Sequence, residues 1–117
     1  MQKILKTLLI FFSLQTFVFA DQNVLDKLFK ELKKTNNQKI AYTIEDQIWE
    51  IWTTHKSDNS LTQLMSYGTV LMNNKSLDEA NKIFTKIIDA DPDWAEAWNK
   101  RATVYYLQKQ YKLSQAD

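Results

Sequence analysis

Residues 91–99, Asp-Pro-Asp-Trp-Ala-Glu-Ala-Trp-Asn, contain the signals that end one helix and begin another. Pro92 has no backbone N–H to donate, so it stops the helix that precedes it. Asp93 is followed three residues later by Glu96, the spacing of a capping box, which predicts that a new helix starts here. The stretch therefore predicts two helices joined by a tight turn.

Similar signals occur elsewhere in the chain. Ser60/Gln63 and Ser76/Glu79 repeat the capping pattern. Further upstream, apolar residues recur with helical spacing at positions 25, 28, 29 and 32 and again at 44, 48, 51 and 52. No window of alternating polarity is long enough to predict a sheet, so the sequence predicts an all-α fold.

The sequence also matches itself at an offset of 34 residues, with large residues opposite large ones and small residues opposite small ones. The pairs are Leu64 with Trp98, Gly68 with Ala102, Leu71 with Tyr105, Leu77 with Tyr111 and Ala80 with Ser114. Small residues at equivalent places indicate that two helices cross closely there, because a larger side chain would push them apart.

These residues resemble the tetratricopeptide repeat (TPR), a helix–turn–helix unit of 34 residues. The resemblance implies antiparallel helix pairs stacked as a short right-handed α-solenoid. It assigns residues 61–94 to a complete unit, 95–117 to a truncated unit and 21–60 to a divergent helix pair. It also implies that Trp98, Tyr105 and Tyr111 are buried.

The chain departs from the TPR pattern at several positions. Arg101 stands where Leu is usual, and we expect it to pair with Asp93 or with another acid of the preceding repeat. Lys75 and Lys109 stand where Gly is common, so Asn74 is the residue expected to adopt the left-handed conformation in the first turn. The last unit is incomplete, which indicates either a fragment of a longer product or an open end that a partner or a second copy covers.

Residues 1–20 are predicted to be a cleavable signal peptide. Lys3 and Lys6 precede an apolar run from Leu8 to Leu14, and Val18-Phe19-Ala20 forms a small-residue cleavage site. A membrane anchor is the alternative, but a spanning helix needs ~20 apolar residues and this run is shorter. We therefore expect an exported protein, periplasmic or alternatively secreted, without a stable anchor after cleavage.

The composition excludes many kinds of chemistry. The 117 residues include one Gly, one His and no Cys, and the formal net charge is +1. Glycine-rich phosphate loops, zinc fingers and disulfide scaffolds are thereby excluded, and the near-neutral charge argues against nucleic-acid binding. The single histidine, His55, is expected to be a hydrogen-bonded or helix-capping residue. No catalytic, cofactor or metal site is predicted, so the chain is not expected to be an enzyme.

The TPR resemblance implies a concave groove that binds a protein or peptide segment, with the assembly of envelope complexes as one context. Two alternatives stay open: self-association through the uncapped C-terminal end, and an N-terminal accessory domain of a longer envelope protein. The groove residues that the resemblance implies are Thr62, Met65, Thr69, Met72, Asn73, Glu96, Asn99, Thr103, Tyr106 and Leu107.

Overall fold

The computed structural model describes residues 22–117, and this part of the chain is helical without strands. The predicted all-α class is confirmed. Six helices follow one another: α1 (residues 22–34), α2 (Gln38–Thr53), α3 (Asn59–Asn73), α4 (Leu77–Ala90), α5 (Ala95–Leu107) and α6 (Tyr111–Ala116). The predicted signal peptide, residues 1–20, lies outside the described residues.

The chain divides into two compact units, with the boundary between Ile51 and Trp52. In the first unit, Leu28 of α1 is buried with Ile44 and Ile48 of α2. The Asn37 side chain begins α2, because its oxygen accepts the backbone N–H groups of residues 39 and 40 at 3.0 and 3.2 Å. This unit is a helical hairpin held by the apolar stripes that the sequence predicts.

The second unit, Trp52–Asp117, packs consecutive helices against each other: α3 on α4, α4 on α5 and α5 on α6, with α3 also contacting α5. This order of packing is consistent with a helical-repeat solenoid. The buried core of the unit consists of Met65, Met72, Ala80, Phe84, Ile87, Ile88, Ala97 and Val104.

Gly68 marks the close crossing of α3 and α4, as its small size predicts. A Cβ added to Gly68 would lie 2.7 Å from Cε1 of Phe84 and 3.0 Å from Cγ2 of Ile83. Phe84 itself is fully buried, and so is Ala80. Because the aromatic ring is enclosed on all sides, only glycine fits this position without a shift of the core.

The turn after α3 is a Schellman motif. Lys75 has a left-handed backbone with φ 65°. Its N–H donates to the carbonyl of Met72 at 3.1 Å, and the N–H of Ser76 donates to the carbonyl of Leu71 at 2.9 Å. These two bonds satisfy carbonyl groups that the end of the helix leaves without partners.

The turn after α5 repeats this geometry 34 residues later. Lys109 has φ 61°. The N–H groups of Lys109 and Gln110 donate to the carbonyls of Tyr106 and Tyr105 at 2.9 and 2.8 Å. The repeat in the sequence is therefore also a repeat of backbone conformation and hydrogen bonding, including an unfavourable left-handed lysine in both copies.

Some local predictions were wrong. The left-handed residue of the first turn is Lys75 and not Asn74, because Asn74 is the last residue still bonded to the helix, through its N–H to Val70. The N-cap of α3 is Asp58 and not Ser60, since the Asp58 carboxylate accepts the Ser60 N–H at 2.8 Å.

The other two predicted capping boxes are also absent. Ser76 stands at the N-cap of α4 without a side-chain capping bond. The N-cap of α5 is Trp94, one residue after Asp93, and its side chain makes no capping bond either. The helices still begin close to the predicted residues, because their buried apolar faces fix them.

Tyr111 does not belong to the core. It is 53% exposed, and α6 has no buried residue. The six-residue helix presents too little apolar surface to enclose a tyrosine. Trp98 and Tyr105, which were expected to be buried as well, are half-buried. Within residues 22–117, no helix has the length and apolar character needed to cross a membrane.

Candidate functional site

The predicted groove draws its residues from α3 and α5, which contact each other in the second unit. On α3 the two methionines are part of the core: Met65 is 1% exposed and Met72 is 9% exposed. Thr62 and Thr69 are partly buried and Asn73 is exposed. The surface that α3 offers to a partner is therefore polar and contains no charged residue, since the whole helix lacks one.

On α5, Glu96 is buried and its charge is compensated. Its side chain lies 3.6 Å from Nζ of Lys100, and the amide of Asn99 donates to both carboxylate oxygens at 3.4 and 3.2 Å. Charged groups are rarely buried without such partners, because desolvation of a lone charge is costly. Glu96 therefore holds Lys100 and Asn99 in place and does not present a free negative charge.

The threonine hydroxyls are partly used within the fold. Thr69 Oγ1 donates to the Met65 carbonyl at 2.8 Å, and Thr103 Oγ1 donates to the Asn99 carbonyl at 3.0 Å. Such back-bonding orients each hydroxyl oxygen while leaving it free to accept a further bond. Asn99 and Thr103 are both exposed, so this part of α5 can accept and donate hydrogen bonds to a bound chain.

Tyr106 and Leu107 are exposed apolar residues at the end of α5, 62% and 38% accessible. The Tyr106 ring packs edge-on against Tyr111 of α6, with 5.5 Å between the ring centroids. Exposed aromatic side chains of this kind often anchor interfaces. The contact with Tyr111 restricts the orientation of the Tyr106 ring while most of the side chain stays exposed.

Arg101 has a different partner from the one predicted. Its guanidinium group binds the Asp117 carboxylate through two bonds of 2.6 and 2.8 Å, and it lies over the Trp98 and Tyr105 rings. The ion pair with Asp117 raises the pKa of Arg101, against the opposing effect of burial. Direct pairing with Asp93 or another acid of the preceding repeat was wrongly predicted, because the packing of α6 brings Asp117 next to α5; Asp89 of the preceding repeat adds only a weaker attraction.

His55 lies between α2 and α3 and is fully hydrogen-bonded, in agreement with the structural role predicted for it. Its Nε2 is 2.7 Å from Asp91 Oδ2, in the turn that follows α4. The hydrogen bond from His55 lowers the pKa of Asp91 below its ordinary value. This contact joins residues 36 positions apart, and no local pattern in the sequence indicates it.

Within the described residues 22–117, no group of three or more His, Cys, Asp or Glu side chains is arranged to hold a metal ion. The carboxylates with lowered pKa values, Asp58 and Asp91, are both engaged in turn and capping bonds. The groups that the structure brings together are donors, acceptors and aromatic rings on a helical scaffold. Such a surface can bind another chain through hydrogen bonds and apolar contacts.

The chain is similar to a TPR repeat-containing protein of Rhizobium etli, with 30% identity over 93 residues. The match covers 80% of this chain and 45% of that protein, so the chain spans less than half the length of the relative. No protein-family model matches the chain, and no solved structure gives a significant match. The similarity and the 34-residue recurrence of the Schellman turns agree on an all-helical, TPR-like repeat.

Proposed function

We propose that this chain is a helical-repeat scaffold that binds a protein or peptide segment on the surface formed by α3 and α5, and that it is not an enzyme. The observation that carries the proposal is the repeated helix–turn–helix geometry, with left-handed Lys75 and Lys109 at equivalent places. Stacked repeats of this kind offer a continuous surface built from equivalent positions of successive helices. The similarity to a TPR repeat-containing protein supports the same function.

The proposed binding surface consists of the accessible members of the predicted groove, and excludes the two core methionines and the buried Glu96. These residues are Thr62, Thr69, Asn73, Asn99, Thr103, Tyr106 and Leu107. The surface is uncharged apart from the compensated Glu96–Lys100 pair. We therefore expect binding through hydrogen bonds and apolar contacts, with little dependence on salt.

We further propose that the protein is exported to the periplasm and acts in assembly of envelope complexes. The proposed signal sequence, residues 1–20, supports this location. N-terminal sequencing of the protein recovered from the exported fraction tests it. A new N-terminus at Asp21 is expected, and an intact Met1 on protein found only inside the cell would contradict export.

Crosslinking and pull-down from the exported fraction of the source cells test the binding surface. The variant is Thr103→Arg, which places a long cation on an exposed position of the surface. The matched control is Gln63→Arg, which introduces the same side chain at an exposed position of α3 outside the predicted groove. Circular dichroism should show equal helicity for both variants.

A partner that is retained by the wild type and by Gln63→Arg but lost by Thr103→Arg would support the proposal. Equal retention by both variants would contradict the assignment to this surface. Capture of the same chain alone would favour self-association, for which the exposed Tyr106 and Tyr111 are an available contact. A mass that rises with concentration in analytical ultracentrifugation would then identify the homo-oligomer.

A further inference from the structure

His55 connects two turns of the second unit through both ring nitrogens. Nδ1 lies 3.2 Å from the backbone N of Ser57 and 2.9 Å from that of Asp58. Nε2 lies 2.7 Å from Asp91 Oδ2 in the turn after α4. The ring also packs edge-on against Trp94, with 5.0 Å between centroids, so it is held from several sides.

These contacts determine the protonation state of the ring. A backbone N–H can only donate, so the nitrogen that receives it must be an acceptor without a proton. Nδ1 receives two such groups, and the proton of the neutral ring must therefore be on Nε2, where it is donated to Asp91. This arrangement has no place for a second proton on Nδ1.

The same contacts hold the beginning of α3. The Asp58 carboxylate caps this helix by accepting the N–H of Ser60 at 2.8 Å and its hydroxyl at 2.6 Å. The backbone N–H of His55 donates to Thr62 Oγ1, one turn into α3, at 2.8 Å. A movement of the turn at residues 57 and 58 therefore also displaces the N-cap of α3.

Charged residues lie on both sides of the His55 ring. Asp91 contacts Nε2 directly, and the backbone N–H of Asp58 donates to Nδ1. Asp93 contributes its backbone N–H to Asp91 Oδ1 at 3.0 Å, and Lys56 is the next residue in the chain. Because the Asp91 bond is compatible with both charge states, protonation breaks the two hydrogen bonds at Nδ1 and leaves the one at Nε2 in place.

We propose that His55 is a pH-sensitive lock on the N-terminus of α3. The neutral ring holds the 57–58 turn through Nδ1 and the α4–α5 turn through Nε2. Protonation of Nδ1 releases the 57–58 turn and frays the first turn of α3, while the ring stays bound to Asp91. Histidine is suited to this task because its charge changes in the mildly acidic range. The device stands independently of any partner on the surface of α3 and α5.

Nuclear magnetic resonance of the full ¹⁵N-labelled chain tests the lock. Long-range ¹H–¹⁵N spectra identify the ring tautomer, and hydrogen exchange measures the protection of the Ser57, Asp58 and Ser60 amides across the same pH series. We expect the Nε2–H tautomer at about pH 7.5. We also expect the amide protection to fall at least tenfold in step with the titration of the His55 ring.

Two variants separate the ring nitrogens. His55→Asn places a non-titrating oxygen near the position of Nδ1, so the 57 and 58 amides should stay protected in acid. His55→Gln retains a donor toward Asp91 without the Nδ1 acceptor, so these amides should be unprotected at every pH. An Nδ1–H tautomer in the wild type, protection that persists after the ring is charged, or the same acid transition in His55→Asn would each overturn the proposal.

Discussion

The α3–α4 and α5–α6 hairpins have the same turn but bury very different amounts of apolar surface. Both turns use a left-handed lysine and the same pair of backbone hydrogen bonds. After the turn, however, α4 buries Ala80, Phe84, Ile87 and Ile88, whereas α6 buries no residue. The same turn therefore forms whether or not the following helix is buried, and we expect the stability of each hairpin to depend on the helices packed around it.

We expect the largest difference in the free energy of unfolding when one aromatic residue in the helix after each turn is replaced by alanine. Phe84→Ala removes a fully buried ring from α4, and we expect it to lower the free energy of unfolding by about 3–5 kcal/mol. Tyr111→Ala, which truncates an aromatic side chain on α6, should cost less than about 1 kcal/mol because the ring is 53% exposed. Urea denaturation followed by circular dichroism measures both, and equal losses would contradict the comparison.

A second pair of variants concerns the equivalent small residues Gly68 and Ala102. Gly68→Val forces a side chain into Phe84 and Ile83, and we expect a loss of about 1–3 kcal/mol in the free energy of unfolding. Ala102→Val on α5 should cost less, since Ala102 is only partly buried. The melting temperatures of the two variants measure which substitution is more destabilising. If Gly68→Val melted at the wild-type temperature, the close crossing of α3 and α4 would be wrong.

An ion pair between Arg101 and Asp117 stabilises the α5–α6 hairpin. The two side chains are 15% and 7% exposed. Arg101→Met should make opening of α6 easier by about 1–2 kcal/mol, because charge-assisted hydrogen bonds are removed. Asp117→Asn should have a similar effect, and the double variant should cost less than the sum of the two. Fully additive losses in a double-mutant cycle would show that the two side chains do not act together.

We expect the same substitution to stabilise both turns equally, although the helices that follow the two turns differ in burial. Lys75→Gly and Lys109→Gly each relieve a left-handed lysine, so each should favour its own turn by about 1 kcal/mol. Lys112→Gly, within α6, is the matched control and should destabilise its helix. A gain at Lys75 without one at Lys109, measured by amide exchange in each hairpin, would contradict the equivalence of the turns.

We expect the smallest effect on stability when the His55–Asp91 contact is removed. Hydrogen bonding from His55 lowers the pKa of Asp91 below its ordinary value of 3.8. A carboxyl group whose pKa is lower in the folded state stabilises the fold above the unfolded pKa, and this contribution is lost as the pH falls below 3.8. Stability of the wild type should therefore decrease in this range more than that of Asp91→Asn. Identical acid profiles would exclude the contribution.

The sequence was sufficient to predict the helices, the 34-residue repeat and the tight contact at Gly68, because all three follow from local patterns or from size. It could not show whether Met65 and Met72 belong to the groove or to the core. The groove face and the core face are adjacent on α3, and only the packing of the other helices determines which residues are buried. The Asn74 prediction failed by one residue, because the end of the helix, and not the preference of the side chain, determines which residue is left-handed.

Contacts between distant residues were not predictable in the same way. The stacking of the helices determines two such contacts, His55 with Asp91 and Arg101 with Asp117. No local sequence pattern predicts the partner of either His55 or Arg101. The partner of Glu96 is only four residues away at Lys100, and ordinary helical spacing could have found it.

Native-state hydrogen exchange tests most directly the claim that this is a repeat with equal turns and unequal packing. The amides to compare are Lys75 and Ser76 with Lys109 and Gln110, which make equivalent hydrogen bonds. We predict that all four are protected but that the second pair opens at least tenfold more readily, because α6 buries no residue. Equal protection in the two turns would contradict the claim, and so would a second turn without any protection.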